Sequence, residues 1–251
     1  MNLIVDLNAD LGEGAGYDLE LLDLVTSANI ACGFHAGDPV SVLRSIRDAQ
    51  ERNVSVGAHP SFLDRENFGR TELSIEPAQV FAEVTYQLGA FNSLASAVTT
   101  RMNHVKPHGA LYNMAVHDEG LADAIVQSIL VVDPYLLLFA PSNSALERVA
   151  KAAELRVVSE VFADRNYLAD GSLVSRSRAD ALLTDPIEAA KRVLRMLREG
   201  KVQSVDGHDV DVRAETICLH GDTPGAVEFA RELRSRLEEQ GVRISAPETG
   251  F

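Results

Sequence analysis

Short apolar runs that predict β-strands alternate along this chain with longer runs whose apolar residues recur at helical spacing. Alternation of this kind is typical of a parallel sheet covered by helices. We therefore predict an α/β fold in which residues 1–251 form a single parallel (β/α) barrel of seven strands, with a doubly wound open sheet as the alternative. The predicted strands are 3–10, 26–32, 54–58, 104–106, 135–140, 156–161 and 216–219. The predicted helices are 17–25, 40–52, 75–100, 120–132, 143–155, 186–199 and 223–240.

Polar side chains follow one predicted strand after another. In a parallel barrel the loops after the strands form the active face, so these side chains would meet at one rim. Any one of them alone is more often structural, but their repetition at six strand ends favours a functional pocket. The set is Asp6, Asn8 and Asp10; His35 and Asp38; His59; Lys106 and His108; Glu160 and Asp164; and His220 and Asp222.

The segment 104–108 shows this pattern most clearly. His104, Lys106 and His108 alternate with Val105 and Pro107, and alternate residues of a strand share one face. Such a group is costly to bury without partners, which predicts acids beside it. Lys106 could form a structural ion pair, or it could hold a carboxylate or phosphate, or stabilise negative charge on an amide oxygen.

Asp10, His35 and His59 are candidates for a metal site. One carboxylate and two neutral imidazoles suit zinc or a comparable divalent ion. The alternative is a polar pocket in which each imidazole contacts a carboxylate without a metal. Asp10 or Glu160 could also act as general base toward water, and His108 as general acid or base, because imidazole titrates nearest neutrality.

The composition limits the partners and the compartment. The formal charge is −14, so the chain lacks the basic surface that nucleic acid or an anionic membrane would need. Cys32 and Cys218 are too few for a disulfide framework, and we expect both to be buried reduced thiols. No secretory segment and no apolar run near the ~20 residues of a membrane span is present. We therefore expect a cytoplasmic protein.

Several loops carry further candidates. The glycine-rich turn around Glu13 lacks the spacing of a nucleotide-binding loop. Residues 60–74, which include Arg65 and Arg70, exceed most strand-to-helix connections and predict a binding loop or lid. Tyr112 could return its hydroxyl to the pocket if a helix begins after His108, although core packing is the alternative. Residues 202–213 predict a hairpin or loop excursion.

Six motifs together resemble one family. They are NADLGEG at 8–14, NIACGFHAGDP at 29–39, GAHPSF at 57–62, HVKPHGALYN at 104–113, EVFADRNY at 160–167 and CLHGDTPGAV at 218–227. This combination, spread over nearly the whole chain, is similar to the LamB/YcsF family, the proteins that form the A component of 5-oxoprolinase.

The resemblance implies a barrel related to the glycoside hydrolase and deacetylase superfamily. It also implies ATP-dependent opening of 5-oxoproline to L-glutamate, with ADP and phosphate as co-products, magnesium accompanying ATP, and partner subunits B and C. A homo-oligomer is compatible with it. The resemblance places these motif residues in one pocket without giving each a role, and from their side-chain chemistry we assign catalysis to Asp10, Lys106, His108 and Glu160. Substrate binding is assigned to Asp6, Asn8, Glu13, His35, Asp38, His59, Arg70, Tyr112, Asp164, Arg165, His220 and Asp222.

Two other functions remain open at this point. The chain could be a stand-alone metal-dependent amide hydrolase or deacetylase, as the Asp and His content allows. It could also be a non-catalytic subunit that presents 5-oxoproline or organises its partners.

Overall fold

A computed structural model describes residues 3–219 and 225–248 of the chain. Seven parallel strands form a closed barrel in the order β1-β2-β3-β4-β5-β6-β9, and β9 pairs again with β1. This closure confirms the seven-stranded barrel and excludes the open sheet. The barrel strands are β1 (Ile4–Leu11), β2 (Ser27–Ala31), β3 (Ser55–His59), β4 (His104–Val105), β5 (Leu137–Pro141), β6 (Val157–Phe162) and β9 (Thr216–Leu219).

Among the residues that the structure describes, three short strands lie outside the closed barrel. β7 (Lys201–Gln203) and β8 (Asp209–Asp211) form an antiparallel hairpin, as predicted for residues 202–213. β10 (Arg243–Ile244) pairs in parallel with the first two residues of β1, Ile4 and Val5. The sequence did not predict β10, because two residues are too short to show a period.

Helices connect the strands and cover the barrel. They are α1 (Asp18–Leu22), α2 (Pro39–Glu51), α3 (Pro77–Ala97), α4 (Gly109–Ala115), α5 (Glu119–Val132), α6 (Ala145–Ala152), α7 (Pro186–Glu199) and α8 (Ala226–Glu239). α2 illustrates the packing, since it buries Val42, Ile46 and Ala49 on one face. Across residues 3–219 and 225–248, no helix has both the length and the apolar character needed to cross a membrane.

β1 shows how the sequence sets the barrel interior. Leu7 and Ala9 are fully buried in the main hydrophobic core, while the alternate residues Asp6 and Asn8 are buried among polar side chains of other strands. Asp6 accepts hydrogen bonds from three hydroxyls, including that of Thr216 at 2.5 Å. Burial raises the pKa of Asp6 to about 6. The barrel interior around Asp6 is thus filled by a network of hydrogen-bonded polar side chains. A cavity lies further along the barrel axis, at the C-terminal ends of the strands.

Candidate active site

A cavity of about 670 Å³ opens where several barrel strands end. Asp10, His59, Lys106 and Glu160 lie on its wall, each from a different strand or the turn after it. The loop at 170–176 and the β7-β8 hairpin form its outer side. The prediction that polar strand ends converge is therefore correct for these residues.

Lys106 is the centre of a buried charge cluster. Its Nζ lies 2.9 Å from Asp10 Oδ1, 3.0 Å from Glu160 Oε1 and 2.9 Å from Cys218 Sγ. Burial alone would lower the pKa of Lys106, but the Asp10 carboxylate and its neighbours raise it well above its ordinary value. Lys106 is therefore a fixed cation, and it is only 3% exposed.

Glu160 is oriented by neutral donors as well as by Lys106. The Tyr112 hydroxyl donates to Glu160 Oε2 at 2.7 Å, and Asn8 Nδ2 donates to Oε1 at 3.1 Å. Tyr112 reaches this position because α4 begins directly after His108 and turns the ring inward. The hydroxyl thus returns to the pocket, and the ring also packs against Phe162.

Three histidines and one glutamate form a second cluster beside Lys106. Glu13 Oε1 lies 3.0 Å from His35 Nε2, 3.7 Å from His59 Nε2 and 3.4 Å from His108 Nδ1. His59 Nε2 and His108 Nδ1 are 2.9 Å apart, and one candidate ligand atom from each residue lies within 4.8 Å of the others. The donor atoms suit a divalent metal ion. Asp10 Oδ2 is 3.5 Å from His59 Nε2 and connects the two clusters.

The histidines of this cluster have opposite pKa shifts. Burial lowers the pKa of His35 to about 2, and the charge of His59 adds to this effect. Burial and His59 also hold the pKa of His108 well below its ordinary value. For His59 burial acts in the same direction, but the Asp10 carboxylate outweighs it and raises the pKa.

The loop at 60–74 packs over the histidine cluster. Gly69 has a φ of +66°, and a Cβ at this position would lie 2.9 Å from His35 Cβ and 3.0 Å from His108 Cδ2. Arg65 donates to the carbonyls of Gly33 and Gly37 and so attaches the loop to the turn after β2. Only a glycine allows this close approach, which fixes the loop against the two imidazoles.

Arg165 brings positive charge to the cavity wall. Its Nη2 donates to the Val174 carbonyl at 2.6 Å, while its buried Nε has no hydrogen-bond partner among the residues that the structure describes. Burial lowers the pKa of Arg165, and the neighbouring charge of Arg176 lowers it further. An anion bound here would relieve both costs.

Some predicted residues lie elsewhere. Asp38 is exposed and accepts from the Val40 and Ser41 amides as the N-cap of α2, so its placement in the pocket was wrong. Asp6 belongs to the polar network below the cavity. Asp164 is half-buried and outside the cavity lining, and its backbone carbonyl accepts a hydrogen bond from the Leu183 amide.

Arg70, in contrast, lines the cavity as predicted, and its guanidinium lies above the ring of Phe68. His220 and Asp222 lie outside the described residues.

The histidine cluster differs from the metal ligands predicted above. His35 and His59 are shared, but Glu13 and His108 complete the cluster and Asp10 lies at its edge. Cys218 was expected only as a buried thiol, yet it contacts Lys106 directly. Cys218 is two residues after Thr216 on the same strand, and this alternation was the available sign that its side chain shares the face of Thr216 inside the barrel.

Comparisons with known proteins agree with this architecture. The chain matches the sequence profile of the LamB/YcsF family over residues 5–250. It is similar to a lactam utilization protein from Thermus thermophilus, with 47% identity and a TM-score of 0.91 over 98% of this chain and 100% of that one. A family 4 carbohydrate esterase from Streptomyces lividans shares the fold at 12% identity, with a TM-score of 0.51 over 99% and 94% of the two chains. The chain belongs to the LamB/YcsF family.

Proposed function

We propose that this chain is the A component of an ATP-dependent 5-oxoprolinase, which opens the lactam of 5-oxo-L-proline to L-glutamate in the cytoplasm. Family membership and the 47% identical lactam utilization protein support this function. The observation that carries it is the Lys106 centre, in which one buried cation contacts the carboxylates of Asp10 and Glu160 beside a cavity.

Lactam opening requires stabilisation of negative charge on the amide oxygen. As water attacks the carbonyl carbon, the oxygen becomes anionic, and a fixed donor in a water-poor site stabilises it most effectively. Lys106 Nζ is such a donor, because it is buried and already held by Asp10 and Glu160. Bringing the lactam oxygen to this ammonium is the first requirement of the proposed mechanism.

Asp10 is the better placed of the two candidate bases. Its side chain is 10% exposed at the cavity wall, whereas the Glu160 side chain is fully buried and accepts from Tyr112 and Asn8. In the proposed mechanism Asp10 takes a proton from the attacking water. When the ring C–N bond breaks, the same proton passes to the nitrogen, which becomes the amine of glutamate.

His108 has a different position from the one expected of a free acid or base. Its Nδ1 faces His59 Nε2 at 2.9 Å, and its Nε2 contacts the Phe68 carbonyl at 2.9 Å. Both ring nitrogens are therefore occupied within the histidine cluster. We propose a role for His108 in that cluster instead of direct proton transfer to the lactam.

Arg165 is the proposed partner of the substrate carboxylate. 5-Oxoproline carries a carboxylate beside its ring, and a guanidinium binds such a group with directed hydrogen bonds. The position of Arg165 on the wall shared with Glu160 would orient the ring toward Lys106.

ATP and the partner subunits complete the proposal. A lactam is a poor electrophile, and phosphorylation of its oxygen by ATP, with ADP as the leaving group, would activate it. Water attack and cleavage of the ring C–N bond would then leave an acyl phosphate, which a second water hydrolyses to glutamate and phosphate, while Lys106 faces the negative charge of the phosphorylated oxygen. The sequence contains no P-loop motif. We therefore propose that subunits B and C contribute to the handling of ATP and magnesium, while the present chain opens the ring.

Glutamate release from 5-oxoproline tests this function directly. The chain would be assayed alone and with subunits B and C, with and without ATP. We expect release only in the complete mixture with ATP. Release by the chain alone without ATP, together with inhibition by a chelator, would instead support the second candidate, a stand-alone metal-dependent amide hydrolase, which the histidine cluster favours.

A further inference from the structure

We propose that Glu13, His35, His59 and His108 form a binding site for one divalent transition-metal ion of the zinc class. The ligand atoms would be Glu13 Oε1, His35 Nε2, His59 Nε2 and His108 Nδ1. The existence of the site follows from geometry alone, whereas its use in lactam opening rests on the function proposed above.

The distances between these atoms are close to those of a coordination shell. Metal–ligand bonds of about 2.1 Å in a tetrahedron separate neighbouring ligands by about 3.4 Å. Glu13 Oε1 lies 3.0, 3.7 and 3.4 Å from the three ring nitrogens of His35, His59 and His108. These separations allow normal bond lengths to one ion. The rings of His35 and His108 are stacked with centroids 3.8 Å apart, so binding also requires these two rings to tilt until both lone pairs point at the ion.

The outer nitrogen of each imidazole is held as a hydrogen-bond donor. His59 Nδ1 faces the Lys106 carbonyl at 2.6 Å, and His108 Nε2 faces the Phe68 carbonyl at 2.9 Å. Carbonyl oxygens only accept, so both nitrogens must carry hydrogens.

The outer nitrogen of His35, Nδ1, also carries its hydrogen, because its partner Ser61 can only accept there. Ser61 Oγ donates its hydrogen to the Phe62 carbonyl, and so it accepts from His35 Nδ1 at 2.9 Å. In each neutral imidazole the inner nitrogen therefore carries a lone pair, and the three inner nitrogens lie 3.0 to 3.7 Å from Glu13 Oε1. Outer hydrogen bonds that fix the tautomer in this way are characteristic of metal-ligating histidines.

One proton shared among the four inner atoms would leave at least one close contact between two hydrogen-bond acceptors. A hydrogen on His59 Nε2 would satisfy its contact with His108 Nδ1 at 2.9 Å. The lone pair of His35 Nε2 would still face a Glu13 carboxylate oxygen at 3.0 Å, and two acceptors at that distance repel. One divalent cation between the four atoms would accept all their lone pairs and balance the carboxylate.

The ligand types narrow the choice of metal. Three imidazoles with one carboxylate suit zinc, cobalt, nickel, iron or manganese, whereas magnesium and calcium prefer oxygen ligands. When bound, such an ion polarises a carbonyl or lowers the pKa of a bound water. Asp10, between His59 and Lys106, would then face a positive charge on each side.

Metal content provides the first test. The untagged chain would be stripped with a chelator, equilibrated with Zn²⁺ or Co²⁺, desalted and measured by mass spectrometry, with the visible absorption of Co²⁺ reporting the ligand field. We expect about one ion per chain. Glu13→Gln and His59→Ala should weaken binding by more than about 100-fold, because loss of an outer hydrogen bond alone costs about 10- to 100-fold. His208→Ala, at an exposed histidine, is the matched control.

The outcomes separate the alternatives. Binding below about one tenth of an ion per chain, or a Co²⁺ spectrum unchanged in folded Glu13→Gln and His59→Ala, would overturn the site. If Asp10→Asn abolished binding while Glu13→Gln retained it, the proposed ligand set would be wrong. A chain that binds the ion but forms no glutamate in the complete mixture would support the site and refute the proposed function. Full glutamate release by a metal-free chain would overturn the use of the ion in lactam opening and leave the proposed function standing.

Discussion

His104 gives a quantitative prediction about acid stability. It is fully buried, its Nε2 donates to Asn29 Oδ1 at 2.8 Å, and its ring stacks on Phe139 with centroids 4.2 Å apart. Its Nδ1 is also buried and has no hydrogen-bond partner among residues 3–219 and 225–248. Burial lowers the pKa of His104 from 6.5 to about 3, and the charge of Lys106 acts in the same direction.

This shift makes the folded state weaker in acid. Below pH 6.5 the unfolded imidazole binds a proton, while the folded one does so only near pH 3. The contribution of His104 to stability is therefore present above pH 6.5 and is lost as the pH falls toward 3. The difference amounts to about 2 kcal/mol between pH 8 and pH 5.

Urea unfolding of the wild type and His104→Gln at pH 8 and pH 5 checks this value. Glutamine retains a donor for Asn29 but does not titrate, and the other histidines titrate in both proteins and cancel in the comparison. On going from pH 8 to pH 5, we expect the wild type to lose about 2 kcal/mol more unfolding free energy than the variant. Parallel losses in the two proteins would refute the reasoning.

Three further substitutions test the packing and the site. Gly57→Ala should destabilise the fold by at least about 1–3 kcal/mol in thermal or urea unfolding, because the added Cβ would lie 2.1 Å from His104 Nε2. Gly89→Ala, in α3 with open space around it, should instead stabilise the fold by about 0.5–1 kcal/mol, and equal effects at the two glycines would contradict this account. Tyr112→Phe should lower kcat/KM for glutamate formation by about 10- to 100-fold, because Glu160 loses a charge-assisted hydrogen bond. Unchanged kinetics in a folded Tyr112→Phe protein would exclude that role.

Local patterns predicted most of the fold. Leu7 and Ala9 alternate with Asp6 and Asn8, and the structure buries the first pair in the main core and the second pair among the polar groups of other strands. Short elements such as β10 carried too few residues for a period to be visible.

The site was predictable only in part, because its partners are far apart in sequence. We could predict acidic partners for Lys106, because burying an unpaired charge is costly. The contacts of Glu13 with His35 and His108 could not be predicted. They depend on how three loops pack against one another, and no local sequence pattern encodes that packing. Asp38 was assigned to the pocket although the following Pro39 is a helix-start signal, and capping proved to be its role.

The most direct test of the central claim is glutamate formation from 5-oxoproline by the complex reconstituted with Lys106→Ala. Lys191→Ala, at an exposed lysine on α7, is the control. Circular dichroism and co-purification with the partner subunits would establish that each variant is folded and assembled. We predict that Lys106→Ala lowers turnover by at least about 100-fold while Lys191→Ala retains it. Near-normal turnover by a folded, assembled Lys106→Ala complex would contradict the account.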